Sequence, residues 1–133
     1  MGMYTELVLK VEFEKNIDPL VYKILHHMFG DGEEPQERLP DHPFFDCPRW
    51  SFIGRCSSFY HHPENINSWH DVDYSSSVRV FSRSDLKNYD NEIALFIDWV
   101  KPYVVPATGS CLGWVWYEED EMPTLIPYDF EKE

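Results

Sequence analysis

The stretch Thr5-Glu6-Leu7-Val8-Leu9-Lys10-Val11-Glu12-Phe13, followed by Asp18-Pro19 and an apolar series that stops at Gly30, decides the fold. Thr5, Leu7, Leu9, Val11 and Phe13 take the odd positions; Glu6, Lys10 and Glu12, with Val8, take the even ones. That period of two predicts a half-buried strand over residues 5–13. Asp18 then offers a helix N-cap, Pro19 has its φ pre-set for a first helical turn, and Gly30 stands where a helix ends. Between these signals Val21, Ile24, Leu25 and Met28 recur at helical spacing and make one apolar face.

Working outward, residues 30–49 carry Gly30, Gly32, Pro35, Pro40, Pro43 and Pro48, which predicts a long loop without regular structure despite Phe44 and Phe45. Residues 50–60 read as a second strand and residues 61–76 as a polar loop. Residues 77–83 read as a third strand, where Val78 and Val80 alternate with Arg79 and Phe81. Asp90 is expected to cap a second helix with an apolar face of Ile93, Phe96, Ile97 and Val100, which Pro102 stops or kinks. Residues 110–118 supply a fourth strand and residues 124–128 a short fifth.

A weak internal repeat supports this order. Lys15-Asn16-Ile17-Asp18 precedes the first helix as Lys87-Asn88-Tyr89-Asp90 precedes the second, and the apolar residues fall at the same offsets from the two aspartates. Ser51-Phe52-Ile53-Gly54 is echoed by Ser110-Cys111-Leu112-Gly113. Shared capping signals alone would give the same helix registers. With or without a duplication, the expected architecture is α+β: a ferredoxin-like β-α-β-β-α-β sheet with both helices on one face and an extra C-terminal strand.

The chain has 133 residues, which suits one domain and leaves too little chain for two independent cores. A 43% hydrophobic content with 22 Phe, Trp and Tyr residues is that of a packed domain. The formal charge of −13 argues against direct binding to nucleic acid or to an anionic membrane surface. Cys47, Cys56 and Cys111 are odd in number and lack CxxC spacing, which fits a reducing compartment; with no leader-like or membrane-spanning window, a cytoplasmic protein is expected.

Four features could carry function. The first is an arginine cluster on the sheet face away from the helices. If Trp50, Phe52 and Cys56 face the helices, Arg49, Ser51, Arg55 and Ser57 point the other way, and with Val78 and Val80 inward Arg79 and Arg83 join them; the repeat alignment sets Trp114 and Trp116 on the same face. Guanidinium forks over aromatic planes suit an anionic ligand or an acidic partner surface. The simpler reading pairs these arginines with Glu6 and Glu12. The second feature is the metal or hydrolytic set His61, His62, His70, Asp71 and Asp73, against which stands an ordinary solvated loop. His26 and His27 near the end of the first helix, and His42, which has no partner visible in the sequence, are weaker. The third is a nucleophile among Cys56, Ser57, Ser58, Ser75, Ser76 and Ser77, but no GxSxG, catalytic-cysteine or glycine-rich phosphate motif accompanies them. The fourth is negative charge at Glu33, Glu34, Glu37 and Glu118-Glu119-Asp120-Glu121. It reads as a solubilising surface or as a decoy for a nucleic-acid-binding protein.

The segments Leu39-Pro40-Asp41-His42-Pro43-Phe44-Phe45, Arg55-Cys56-Ser57-Ser58 and Lys87-Asn88-Tyr89-Asp90-Asn91-Glu92-Ile93 resemble small acidic uncharacterised proteins of bacteria and their phages. The resemblance implies a bacterial or phage cytosolic origin and brings no activity, ligand or catalytic residue with it. From the residues, the leading expectation is a non-enzymatic binding module that uses the open sheet face for a protein partner, a small anionic ligand or a homodimer. A small metal-dependent hydrolase centred on residues 61–73 is the alternative, and no motif assigns a cofactor.

Overall fold

The computed structural model describes residues 4–54, 66–88, 90–105 and 111–127. The strand β1 runs Thr5–Glu14 and lies at the centre of a five-stranded antiparallel sheet of order β2-β3-β1-β4-β5. The other strands are β2 Ile66–His70, β3 Ser77–Leu86, β4 Cys111–Tyr117 and β5 Thr124–Pro127. Leu7, Leu9, Val11 and Phe13 enter the core as their alternation requires, opposite Ser84, Ser82, Val80 and Val78 of β3. β3 runs three residues beyond its expected end because it pairs along the whole of β1, from Glu14↔Ser77 to Thr5↔Leu86. Gly113 of β4 has φ +142°, and a Cβ there would collide with the Val8 carbonyl, so only glycine lets β4 close on β1 at this irregular point.

Helix α1 spans Pro19–Phe29 as predicted: the Leu20 N–H donates to Asp18 Oδ1 at 2.9 Å, and the Gly30 N–H closes the last turn onto the His26 carbonyl. Helix α2 spans Glu92–Val100, and its start corrects the expected Asp90 cap. Asn88 and Asn91 both adopt positive φ, which asparagine tolerates, and turn the chain so that the Ile93 N–H donates to Asn88 Oδ1 at 3.0 Å. Pro102 sits in a 3₁₀ turn just past the helix end. Val21, Ile24, Leu25, Met28, Ile93, Phe96 and Val100 are buried; Ile97 is only half-buried, and Trp99 takes the core position beside it. Phe29 of α1 meets Phe96 of α2 at 5.9 Å within one core, so both helices lie on the same side of the sheet.

The second strand is the main correction. Residues 50–52, expected to begin it, form a 3₁₀ turn, and β2 comes later, inside the stretch read as polar loop; residues 55–60 of the expected strand lie outside the described residues. Trp50 is drawn into an aromatic cluster instead. A second 3₁₀ turn, Pro43–Asp46, starts on Pro43 and is capped by the His42 ring, which accepts from the Phe44 N–H. It delivers Phe44 onto Trp99 (5.9 Å, stacked), Phe96 and Trp50, with Phe45 edge-on to Trp99. The prolines exclude long regular elements but permit these single turns. The proposed echo of residues 51–54 by 110–113 does not extend to conformation: the first is a 3₁₀ turn and residues 111–113 are strand.

β2 was hidden because its sequence, Ile-Asn-Ser-Trp-His, turns only Asn67 and Trp69 toward the helices. Trp69 packs on His26 and Tyr22 of α1, and the Asn67 amide donates to the Gly54 carbonyl. Among the described residues no helix is long and apolar enough to cross a membrane. Ile24→Ala is expected to cost about 2–5 kcal/mol and Phe96→Ala about 3–5 kcal/mol, with half-exposed Ile97→Ala below both. Urea denaturation of the three variants checks this order.

Candidate functional site on the open sheet face

The face opposite the helices is built from the even residues of β1, the odd residues of β3, and Ile66, Ser68, His70, Trp114, Trp116 and Leu125. Its registers form continuous rows. Ile66, Arg83, Val8, Trp114 and Leu125 stand opposite one another across all five strands. On one side of this row lie Ser68, Phe81 and Lys10, then His70, Arg79 and Glu12; on the other lie Asp85, Glu6 and Trp116. Directly opposite side chains in such rows are about 5 Å apart and interact.

Arg83 is 5% exposed, with Nε 2.7 Å from Glu6 Oε2 and Nη2 3.0 Å from Asp85 Oδ2. The other Glu6 oxygen accepts from Trp114 Nε1 at 3.4 Å, which ties β4 into the same network. Arg79 differs: its side chain is 74% exposed and its Nε lies 3.8 Å from Glu12 Oε1, a loose contact, while the Ser77 hydroxyl donates to the other Glu12 oxygen. The simpler sequence reading, Glu6 and Glu12 against the arginines, therefore describes these two. Trp114 and Trp116 occupy the face as expected, and the Trp116 indole donates to the Asp120 carbonyl at 2.9 Å. Arg49 does not join them. It precedes the 3₁₀ turn at Trp50, with its guanidinium 5.3 Å from the Phe52 ring centre, because the strand that would have placed it on the sheet does not start there. Arg55 lies outside the described residues.

The expected metal set is divided. His70 stands beside Arg79 on the open face, whereas Asp71, one residue on, is held by Lys15 Nζ at 2.5 Å and by the Tyr22 hydroxyl at 3.0 Å. Asp73 is exposed, and His61 and His62 lie outside the described residues. Among the described residues no three His, Cys, Asp or Glu side chains are placed to hold a metal ion. Of the proposed nucleophiles, Cys56, Ser57 and Ser58 are likewise outside the described residues, and the hydroxyls of Ser75 and Ser77 are engaged within the hairpin. Cys47 is buried, and burial followed by the charges of Asp90, Glu92 and Asp46 pushes its thiol up, away from the reactive thiolate. His42, which showed no partner in the sequence, lies 2.9 Å from Asp98 through Nε2; because its Nδ1 accepts from the Phe44 N–H, Nε2 carries the proton and donates.

Sequence reasoning passed over Phe81, Ile66 and Leu125, the exposed apolar members of this face. Phe81 did leave a signal, an aromatic residue on the strand parity otherwise taken by arginines. Ile66 and Leu125 left none, since neither edge strand alternates clearly. The Lys15-Asp71-Tyr22 clamp that anchors the β2–β3 hairpin to α1 joins residues too distant in sequence for any spacing rule.

Two outcomes follow from this geometry. Arg83→Ala, which strands two carboxylates in a buried site, is expected to cost about 3–5 kcal/mol in chemical denaturation, and Arg79→Ala about 0–1 kcal/mol. The second outcome concerns Tyr22. Burial, reinforced by the hydrogen bond and charge of Asp71, pushes the phenol from 10.0 up to about 12. The unfolded chain then loses this proton first, so the contribution is complete below pH 10.0 and is lost as pH rises to about 12. Asp71 acts at the other end: the Lys15 hydrogen bond holds its carboxyl below the usual range, and that contribution is lost as acid protonates it. Denaturation midpoints against pH, compared between wild type and Tyr22→Phe, are expected to diverge in the alkaline window.

Compared with protein-family models, with curated protein sequences and with solved structures, the chain matches none.

Proposed function

We propose that the protein is a non-enzymatic binding module that engages a protein partner through the open face of its sheet. The observation that carries this reading is the row Ile66, Arg83, Val8, Trp114 and Leu125, which spans every strand and is apolar apart from an arginine whose charge is already paired. Its two ends, Ile66 and Leu125, are 40% and 62% exposed, Val8 between them is buried, and Phe81 in the adjoining row is 38% exposed. Aromatic and aliphatic side chains gathered on one flat surface mark interaction sites.

Charge points the same way. On a molecule of −13, the ionisable residues that β1 and β3 present here are Lys10, Arg79 and Arg83 against Glu6, Glu12, Glu14 and Asp85, which leaves one net negative charge. Another macromolecule meets little repulsion on this face and more elsewhere. We also read the domain as ferredoxin-like with β5 appended. The order β2-β3-β1-β4, with α1 following β1 and α2 following β3, supports that reading, and this plan leaves one sheet face uncovered by its helices. The fold itself does not select a ligand.

A photo-crosslinking residue placed at Phe81 or at Leu125, in cells that make the protein, is expected to trap an adduct of one discrete mass. The adduct should vanish when Ile66→Glu is added, and the same residue at Lys23 on α1 should trap nothing. Equal trapping at all three positions, or none at Phe81 and Leu125, contradicts the reading.

A further inference from the structure

We propose that the cleft beside the β2–β3 hairpin is a binding site for a small oxyanion of the phosphate class, held by Arg79, His70 and Tyr74. The cleft has a volume of about 160 Å³ and is lined by His70, Val72, Tyr74, Ser75, Ser77 and Arg79. That is smaller than the ~300–1,000 Å³ of pockets for drug-sized ligands, so the occupant is a group of a few atoms. The site borders the apolar row but does not use it, and it stands or falls separately from the protein-binding reading.

Its chemistry follows from which donors are already engaged. The Ser75 hydroxyl donates to the Ser77 carbonyl at 2.9 Å and accepts from the Ser77 N–H at 3.2 Å, and the Ser77 hydroxyl serves Glu12. The serines therefore shape the wall. Among the described residues the side chains of His70 and Tyr74 have no hydrogen-bond partner, and that of Arg79 has only the loose 3.8 Å contact to Glu12. Arginine offers five N–H donors and no acceptor, and the imidazole and the phenol can each donate once. Three donor-bearing residues lining one small space suit a ligand rich in acceptors, and charge-assisted bonds from guanidinium to phosphate oxygens are among the stronger hydrogen bonds in proteins. A tetrahedral group can meet three donors arriving from different directions, where a planar carboxylate meets two well.

The backbone wall of the cleft is fixed, with the Tyr74 and Arg79 side chains, 92% and 74% exposed, at its rim. Lys15 Nζ donates to the Val72 carbonyl at 2.7 Å and pairs with Asp71, the Lys15 N–H donates to the Ser76 carbonyl at 3.0 Å, and the Ser75 N–H closes a turn onto the Val72 carbonyl. A wall fixed from β1 and α1 does not have to be ordered when a ligand arrives, which lowers the entropic cost of binding. Glu12 sits behind Arg79 as an internal competitor for its charge. Glu12→Gln keeps an oxygen to accept from Ser77 but removes that competition.

The test is a titration of the isotope-labelled full chain with inorganic phosphate, followed by amide NMR at ionic strength matched with chloride. Saturable shifts confined to residues 70–79 are expected, weakened about tenfold in Arg79→Gln and in His70→Ala, the order expected for one charge-assisted hydrogen bond. Glu12→Gln should tighten binding several-fold, and Lys23→Ala, a surface cation on α1, should leave it unchanged. Phenyl phosphate binding at least as tightly as phosphate identifies a phosphate monoester as the ligand; weaker binding identifies the free anion, and either supports the site. Shifts that do not saturate, that persist unchanged in Arg79→Gln, or that acetate reproduces at equal concentration would overturn the proposal. Because Arg79 is exposed, its variant tests the site without endangering the fold.

Discussion

The ten-residue ladder between β1 and β3 is the constraint on which the rest of the molecule depends. β1 is hydrogen-bonded on both edges, to β3 and to β4, so its side chains alone decide which face is buried. A slip of one residue would send Leu7, Leu9, Val11 and Phe13 to the open side and press Glu6 and Glu12 into the core, which fixes the register strongly. The same register sets Glu6 near Arg83 and Glu12 opposite Arg79, so the electrostatics of the open face follow from the packing of the other. Gly113 extends the constraint sideways, because β4 can approach Val8 only where no Cβ intervenes.

The helices do not cover the sheet unaided. α2 has nine residues, and the space beside it is filled by Phe44, Phe45 and Trp50, carried on two 3₁₀ turns that the prolines permit. His42 secures this insert twice, by capping the turn at Pro43 and by reaching Asp98 on α2. Phe44 and Trp50 are thus part of the core, with Phe45 packed against it, and their rings join this segment to α2.

On the open face, burial and charge have been separated. Arg83 lies under its neighbours with both carboxylates and a tryptophan indole arranged around it, an arrangement that rigidifies more than it stabilises, since buried ion pairs gain little over apolar packing. Arg79, four residues away on the same face, remains in water with a loose partner. Two arginines on the same face of one strand therefore differ: Arg83 is buried within the structure, and Arg79 is exposed. In the function we propose, the apolar row between the edge strands supplies the contact with a protein partner, and the low net charge there lets that partner approach.

By itself the sequence determined the elements whose signals are local: β1 from its alternation, α1 from Asp18, Pro19 and Gly30, most of β3, β4 and β5, and with them an α+β domain. It also placed Arg79 and Arg83 on one face by strand parity, which is a property of the chain alone, and set Trp114 and Trp116 beside them only through the internal repeat. Tertiary structure decided what rests on contacts between distant residues. Trp50 left the sheet for the aromatic cluster around Phe44 and Trp99, and β2 formed from a polar segment because Trp69 found Tyr22 and His26. The start of α2 moved past Asp90 because two asparagines took positive φ. The neutralisation of Arg83, the looseness of Arg79 and the meeting of His70, Tyr74 and Arg79 in one cleft are likewise products of register and hairpin geometry. A sequence records which faces a strand has, but the partners across the sheet are chosen only when the whole core closes.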